Sequence, residues 1–355
     1  MAERNAEQLL NAEFNPEGVG VDNGAYFGMP FTPEEAALVL ISAPWDVTAS
    51  YGTGTAYAPD SLIEASTQLD FYDPIAPEAW RRGIATADVD YTLHELSERL
   101  HHDARRVIEH LEQGGETTDD YVVRKIRRVN EGSEELNQNI YDQAMQWLAA
   151  GKIVGLVGGD HSTPYGLIRA LGKRHESFGI LQIDAHCDLR EAYEGFTHSH
   201  ASIMHNVLHG VPAVDRIVQV GIRDFSATEL RTAEASGRVV QFPDHQLSEA
   251  TFNGESWSTI CDRIVATLPE KVYISFDIDG LDLAYCPHTG APVPGGLSFN
   301  QAVALLKKVA DSHRQIIGFD LVEVGTAPEE RAKCDAVVGA RMLWKLCGQA
   351  LRTLE

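Results

Sequence analysis

Short, predominantly apolar runs recur along this chain, and each is too apolar for either of its faces to stand in water. They read ALVLISAP (37–44), KIVGLVGG (152–159), FGILQIDA (178–185), RIVQVGI (216–222), RVVQF (238–242), KVYISFDID (271–279) and QIIGFDLVEV (315–324), with a further short strand near 84–89. Strands buried on both faces belong to parallel sheets covered by helices on both sides. Helical patterns stand between them. One runs over 60–69 with Asp60 as its cap, and a charged helical region spans about 92–150. Within that region EELNQNIYDQAMQWLAA carries the clearest amphipathic period, and Gly151 stops it. Further helices are expected at 163–175, at 300–312 and over about 336–351. The expected fold is α/β, a three-layer α-β-α domain with a central, mostly parallel sheet. Residues 1–33 are polar with no sustained apolar period, so they read as an N-terminal extension able to wrap a neighbouring subunit. Residues 34–355 read as a single domain, since no repeat or low-complexity linker divides them.

Charge narrows the function. A net charge of −23 argues against nucleic acid, because nothing here would neutralise phosphates. An acidic field suits a small cationic substrate entering a cleft, though acidity serves solubility equally well. The five cysteines show neither zinc nor disulfide-framework spacing and read as reduced thiols of a cytoplasmic protein. The N-terminus has no apolar signal core and no stretch approaches a membrane span, so no membrane partner is expected.

Four strands end in ionisable residues. IVGLVGGDHS ends in Asp160 and His161, and ILQIDAHCD in Asp184, His186 and Asp188. VYISFDIDGLD ends in Asp277, Asp279 and Asp282, and IIGFDLVEV in Asp320 and Glu323. Ligands of parallel α/β sheets bind at the carboxyl ends of the strands. In extended chain, alternate residues share a face, so Asp184, His186 and Asp188 can converge, as can Asp277 and Asp279. So many carboxylates in one place repel each other unless positive charge lies between them. Mixed Asp and His ligands suit a borderline divalent ion such as Mn, Co, Ni, Zn or Fe(II) better than Ca or Mg. Four aspartates and two histidines exceed the needs of one ion, which points to two. A metal pair can acidify a bridging water into a nucleophile near neutral pH.

At these residues the sequence resembles the ureohydrolase family of arginases, agmatinases and formiminoglutamases. The matching motifs are GGDHS (158–162), DAHCD (184–188), SFDIDGLD (275–282), PVPGGL (292–297) and VEV (322–324), in family order. APWDVTASYGTGTAYAPDSLIEAS (43–66) is a weaker match to the family's first strand, loop and helix. The resemblance implies an arginase-like fold and two divalent ions, Mn2+ by family default, with Ni2+ or Co2+ able to use the same ligands. One ion would be held by His161, Asp184, Asp188 and Asp277, the other by His186, Asp184, Asp277 and Asp279. It further implies that acidified water attacks a guanidinium carbon and urea leaves with the amine. Glu323 would grip the guanidinium through charged hydrogen bonds. HSHAS (198–202) offers two proton-shuttle candidates, His200 by better alignment and His198 as second choice. His200, Glu323 and Asp188 are thus the expected catalytic residues, and Glu323, His198 and His200 the expected substrate contacts. Homo-oligomers, trimers or hexamers, are implied as well.

The sequence departs from the family around the pocket. LREAYEGFTHSHAS (189–202) lacks the Asn of arginases, so arginine is not expected. SYGTGTAYAP (50–59) lacks the Arg and first Pro of agmatinase-like loops. Leu283 and PHTGAP (287–292) replace a usual Pro and PGTGTP, and Gly325-Thr326 follows VEV. Agmatine is the expected substrate by resemblance. Guanidine itself comes next, then a guanidino acid or formiminoglutamate, for whose anionic tail Arg190 could serve. A non-catalytic relative keeping its metals is disfavoured, because the ligand set, Glu323 and His200 are all present.

Overall fold

The computed structural model describes residues 15–326 and 333–354. Eight strands form one sheet: β1 Leu38–Ala43, β2 Ile84–Thr86, β3 Ile153–Gly158, β4 Phe178–Ile183, β5 Val214–Val220, β6 Val239–Phe242, β7 Lys271–Asp277 and β8 Gln315–Val322. Their order is β2-β1-β3-β8-β7-β4-β5-β6, and every pairing is parallel, tighter than the mostly parallel sheet expected from the sequence. Strand residues alternate between two cores. Leu181, Ile183, Ile274, Phe276 and Leu321 face the helices Ala58–Ser66, Trp257–Ala266, Phe299–Asp311 and Lys333–Arg352. Ile180, Ile217, Tyr273 and Val322 face Tyr91–Glu112, Asp120–Ala149, Tyr165–Arg174 and Ile203–Gly210. Two helix layers therefore sandwich the sheet, and both faces of its central strands are dry, as their composition requires, while the edge strand β6 is half-buried.

The charged region near 92–150 forms two helices, not one. Tyr91–Glu112 ends before Gly114 and Gly115, and Asp119 then precedes Asp120–Ala149. Gly114 stands at φ 84°, a conformation that suits glycine and cannot continue a helix. Short helices at Ala227–Ser236, Asp244–Phe252 and Trp257–Ala266 lie outside those expected, and the last buries Ile260, Cys261, Ile264 and Val265 along one face. Residues Tyr26, Phe27, Met29 and Phe31 are buried in this chain's own core. There Tyr26 Oη lies 2.8 Å from Ser42 Oγ, and the Phe27 ring meets Trp344 edge-on at 4.9 Å. Among the described residues, no helix is long and apolar enough to cross a membrane.

Candidate metal centre

The carboxyl ends of β3, β4, β7 and β8, adjacent in the middle of the sheet, bring the expected ligands together. His161 is fully buried, and its Nδ1 faces three carboxylates: Asp188 Oδ2 at 2.9 Å, Asp184 Oδ2 at 3.0 Å and Asp277 Oδ2 at 3.2 Å. His186 Nδ1 lies 3.0 Å from Asp279 Oδ2 and 3.6 Å from Asp184 Oδ1. The donor atoms thus form two groups, His161–Asp184–Asp277 and Asp184–His186–Asp279. Asp184 belongs to both, one oxygen to each side. Asp188 joins the first group through His161. Asp277 stands in the first group, and its second oxygen accepts the Asp279 N–H at 2.8 Å.

The geometry fits divalent ions. His161 Nε2 lies 2.9 Å from Ser275 Oγ, whose hydroxyl in turn donates to Asp320 Oδ1 at 3.2 Å. Ser275 must therefore accept from Nε2–H, which leaves the Nδ1 lone pair aimed at the carboxylates. That nitrogen makes no well-aligned hydrogen bond despite being buried. A proton there could address one of the three oxygens; an ion at their common centre serves all three. Donor atoms about 3 Å apart are also the spacing of neighbouring ligands around an ion with bonds of about 2.1 Å.

The protonation of the side chains alone reports the same crowding of negative charge. Burial, then the neighbouring Asp184 charge, pushes Asp188 up to about 7. Burial, then Asp279 and Asp184, pushes Asp277 well above the usual carboxylate range. Burial opposes a charged imidazole at His186, yet Asp279 and Asp184 raise it to about 12. His161 is likewise raised against its burial by its three carboxylates. Asp184 goes the other way: against burial, His161 and His186 hold it below the usual range. The cluster demands positive charge, from protons or from metal.

Backbone strain accompanies these residues. Asp188 at φ 54° and Glu323 at φ 59° are non-glycine residues in left-handed conformation, of the kind that collects at functional sites. Glu323 is buried, and its Oε1 accepts the His161 backbone N–H at 3.0 Å. Burial, then the Asp160 charge, raises its pKa well above normal. Gly290 presses against it, since a Cβ there would lie 2.5 Å from Glu323 Oε2. A cavity of about 190 Å3 opens over the cluster, lined by Ser50, His186, Asp188, Arg190, Tyr193 and His200 among others. A larger cavity of about 680 Å3, between Asp46, Tyr57, His94 and Glu98, includes none of the clustered ligands.

His200 and His198 part company. His200 Nδ1 lies 3.3 Å from Thr48 Oγ1, and its ring faces the cavity beside Tyr193. Burial, then the charges of His186 and His161, lowers its pKa to about 4. His198 turns to the long helix instead: Nε2 lies 2.7 Å from Glu134 Oε1, Nδ1 lies 3.2 Å from Asn137 Nδ2, and the ring packs on Tyr165. Sequence reasoning missed Thr48, Ser275 and Gln182. Ser275 and Gln182 are polar residues set singly inside apolar strands, and that interruption was the available signal. Thr48 sits in the weaker 43–66 match. The structure also shows that the family departures meet. Gly52 N–H donates to the Gly290 carbonyl at 2.8 Å, Thr326 Oγ1 bonds the Gly54 carbonyl, and Gly325 packs against the His288 backbone.

A parallel α/β sheet carrying paired His/Asp clusters at its carboxyl edge is the architecture of a candidate metal-dependent hydrolase. The chain belongs to the arginase family, whose sequence model matches residues 36–348. The N(1)-aminopropylagmatine ureohydrolase of Thermus thermophilus is 31% identical over 312 residues, 87% of this chain and 90% of that protein. The mitochondrial guanidino acid hydrolase of Homo sapiens is 28% identical over 347 residues, 96% of this chain and 85% of that one. In fold, the agmatine ureohydrolase of Thermoplasma volcanium matches with a TM-score of 0.69 at 22% identity, covering 98% of each chain.

Proposed function

We propose that this protein hydrolyses a guanidino C–N bond and releases urea, with an agmatine-type cation as substrate. The observation that carries the reading is the pair of His/Asp groups sharing Asp184 beneath a cavity whose wall holds His200. His161, Asp184, Asp188 and Asp277 would hold one divalent ion, and His186, Asp184, Asp277 and Asp279 the other, with Mn2+ the first choice and Ni2+ or Co2+ alternatives. When bound, the ions would acidify water and lower the barrier to its attack on the guanidinium carbon. His200, held neutral in its buried site, accepts a proton at its ring and passes it to the departing amine nitrogen. Thr48 fixes that ring through Nδ1, which leaves Nε2 for the transfer. Glu323 accepts N–H bonds from the guanidinium, fixing its orientation.

Guanidine itself is the second reading. It is favoured by the knitting together of the 50–59, 287–292 and 325–326 loops, which would close the tail end of the pocket. Guanidino acids are third. The protein is further proposed to be cytoplasmic and a homo-oligomer, with residues 15–24, which expose Val19 and Val21, reaching a neighbouring subunit. The experiment is urea release by protein loaded separately with Mn2+ and Ni2+. The panel is agmatine, guanidine, arginine and guanidinobutyrate, with formiminoglutamate followed by formamide release instead of urea, and Asp277→Asn as blank. Agmatine turnover supports the first reading, and guanidine turnover alone the second. Silence across the panel with both ions bound would sink the catalytic assignment.

A further inference from the structure

Two residues upstream of Asp184, the sheet carries polar side chains in positions where a dry strand would be apolar. Gln182 on β4 pairs in register with Gln219 on β5, which pairs with Gln241 on β6. Gln182 and Gln219 are fully buried, and Gln241 is half-buried. Gln241 Nε2 donates to Gln219 Oε1 at 2.8 Å, and Gln219 Nε2 donates to Gln182 Oε1 at 2.7 Å. Gln182 Nε2 then donates to Asp184 Oδ2 at 2.8 Å.

The orientation of each amide follows from its other contacts. Gln182 Nε2 also reaches the His186 carbonyl at 3.2 Å, and Gln219 Nε2 the Cys187 carbonyl at 2.8 Å. A carbonyl can only accept, so the nitrogens must stand on those sides. Gln219 Oε1 is then left to accept, which orients Gln241 too. The three amide dipoles run head to tail with their N–H ends toward Asp184, an arrangement in which each polarises the next.

Neither the ligand set nor the hydrolysis uses these amides, and buried amides are unfavourable unless satisfied. Their bonds fall on the Asp184 carboxylate and on the carbonyls of residues 186 and 187, within the stretch that presents Asp184, His186 and Asp188. We infer that Gln182, Gln219 and Gln241 are positioning residues, an amide ladder that holds the 184–188 segment in its ligating shape and so sets how tightly the centre binds divalent ions. The inference rests on the metal reading above. Gln182 touches a ligand directly; Gln219 and Gln241 act through it and through the Cys187 carbonyl.

The test measures Mn2+ and Ni2+ affinity of the full chain by competition with a chromophoric chelator, together with the thermal midpoint of the metal-free protein. The variants are Gln182→Met, Gln219→Met, Gln241→Met and the double variant at 182 and 219. Losing a group that orients a ligand weakens metal binding by about 10- to 100-fold. That rise in Kd is expected for Gln182→Met and Gln219→Met at a near-wild-type midpoint, with a smaller rise for Gln241→Met. The double variant should be no worse than the poorer single variant, because members of one network do not add. Unchanged Kd in folded variants, or strictly additive losses, overturns the ladder. Should the buried variants fail to fold, Gln241→Met at the sheet's edge decides, since a raised Kd supports the ladder and an unchanged one overturns it. Wild-type protein that binds neither ion takes down the metal reading and the ladder together. Wild-type binding with indifferent variants takes down the ladder alone.

Discussion

The floor of the site and its mouth are built in opposite ways. On the floor, Asp184, Asp277 and Asp279 sit at or just past the ends of β4 and β7, buried, with their oxygens held by Gln182 and by backbone N–H groups. At the mouth, Ser50, Tyr193 and Phe225 stand on loops, and Phe225 is 38% exposed. A floor residue cannot shift without disturbing sheet pairing, whereas a loop residue can. The reaction class therefore resides in strand ends, and the choice of substrate in segments free to vary.

The sharpest way to break this contrast is at the residue both metal groups share. Asp184→Ala should remove both groups at once and reduce urea release on the order of 10^4-fold, since metal activation supplies several kcal/mol of the barrier. Metal content measured on the same sample should fall with it; full turnover from metal-poor protein would refute the floor's role. His200→Ala comes next, with kcat down about 10^2- to 10^3-fold, as for a lost proton carrier. Its metal content should stay at the wild-type level, which separates proton transfer from metal loss. Ser275→Ala, which frees His161 Nε2, is expected to weaken metal binding about 10-fold while leaving the fold intact.

A pH series sharpens the comparison without mutation. An unfolded aspartate titrates near 3.9, whereas burial and Asp184 raise folded Asp188 to about 7, and burial first of all raises Asp160 and Asp320 to about 6. Across about pH 4 to 7 the folded, metal-free chain thus keeps protons that the unfolded chain has released. This stabilisation is fully present below about pH 4 and is lost as pH rises through about 7. The raised His161 and His186 lose stability in the same direction at higher pH, while the lowered Asp184 has already made its opposite contribution below about pH 4 and the lowered His200 gains between about pH 4 and 6.5. The metal-free thermal midpoint should fall between about pH 5 and 8, and the metal-loaded one should fall less, because ions replace the protons. Calorimetry on both forms checks this, and a metal-free midpoint that rises across the window would contradict it.

The two regions also differed in how much could be read before the fold was known. Although the two-residue period stops with β4 at Ile183, with Asp188 at φ 54° and Asp279 in the turn Ile278–Gly280, the floor was legible because its ionisable residues end runs whose apolar composition marks them as buried strands. The parallel sheet was legible for the same reason: its strands are apolar on both faces. What supports the ligands was not. Gln182, Gln219 and Gln241 lie in separate strands, and only the β4-β5-β6 order makes them neighbours. Each occupies the same place in a similar string, GILQI, RIVQV and RVVQF, but a lone Gln in a strand reads as an exposed position until the partner strands are known. His198 and His200 are two residues apart and could not be told apart by spacing. Tertiary contact with Glu134 and Asn137 turns one to a helix, and Thr48 holds the other toward the cavity.

The mouth should yield the smallest effect. Arg190 lies over the Tyr193 ring at 4.7 Å, and its Nε is 3.7 Å from Glu229 Oε2. Glu229 is already occupied, accepting from Leu189 N–H and from the Ser226 N–H and hydroxyl. The arginine is thus weakly engaged, 40% exposed and positive at the rim of an acidic cavity. Replacing it, Arg190→Gln, removes one charge that repels a cationic substrate tail and attracts an anionic one. Interactions of exposed charges are worth at most about 1 kcal/mol, or about fivefold. KM for agmatine should fall and KM for guanidinobutyrate rise by no more than that, both converging at high salt, with kcat unchanged because the floor is untouched. A change in kcat as large as that of His200→Ala would mean that mouth and floor are one machine, and the division drawn between them would fail.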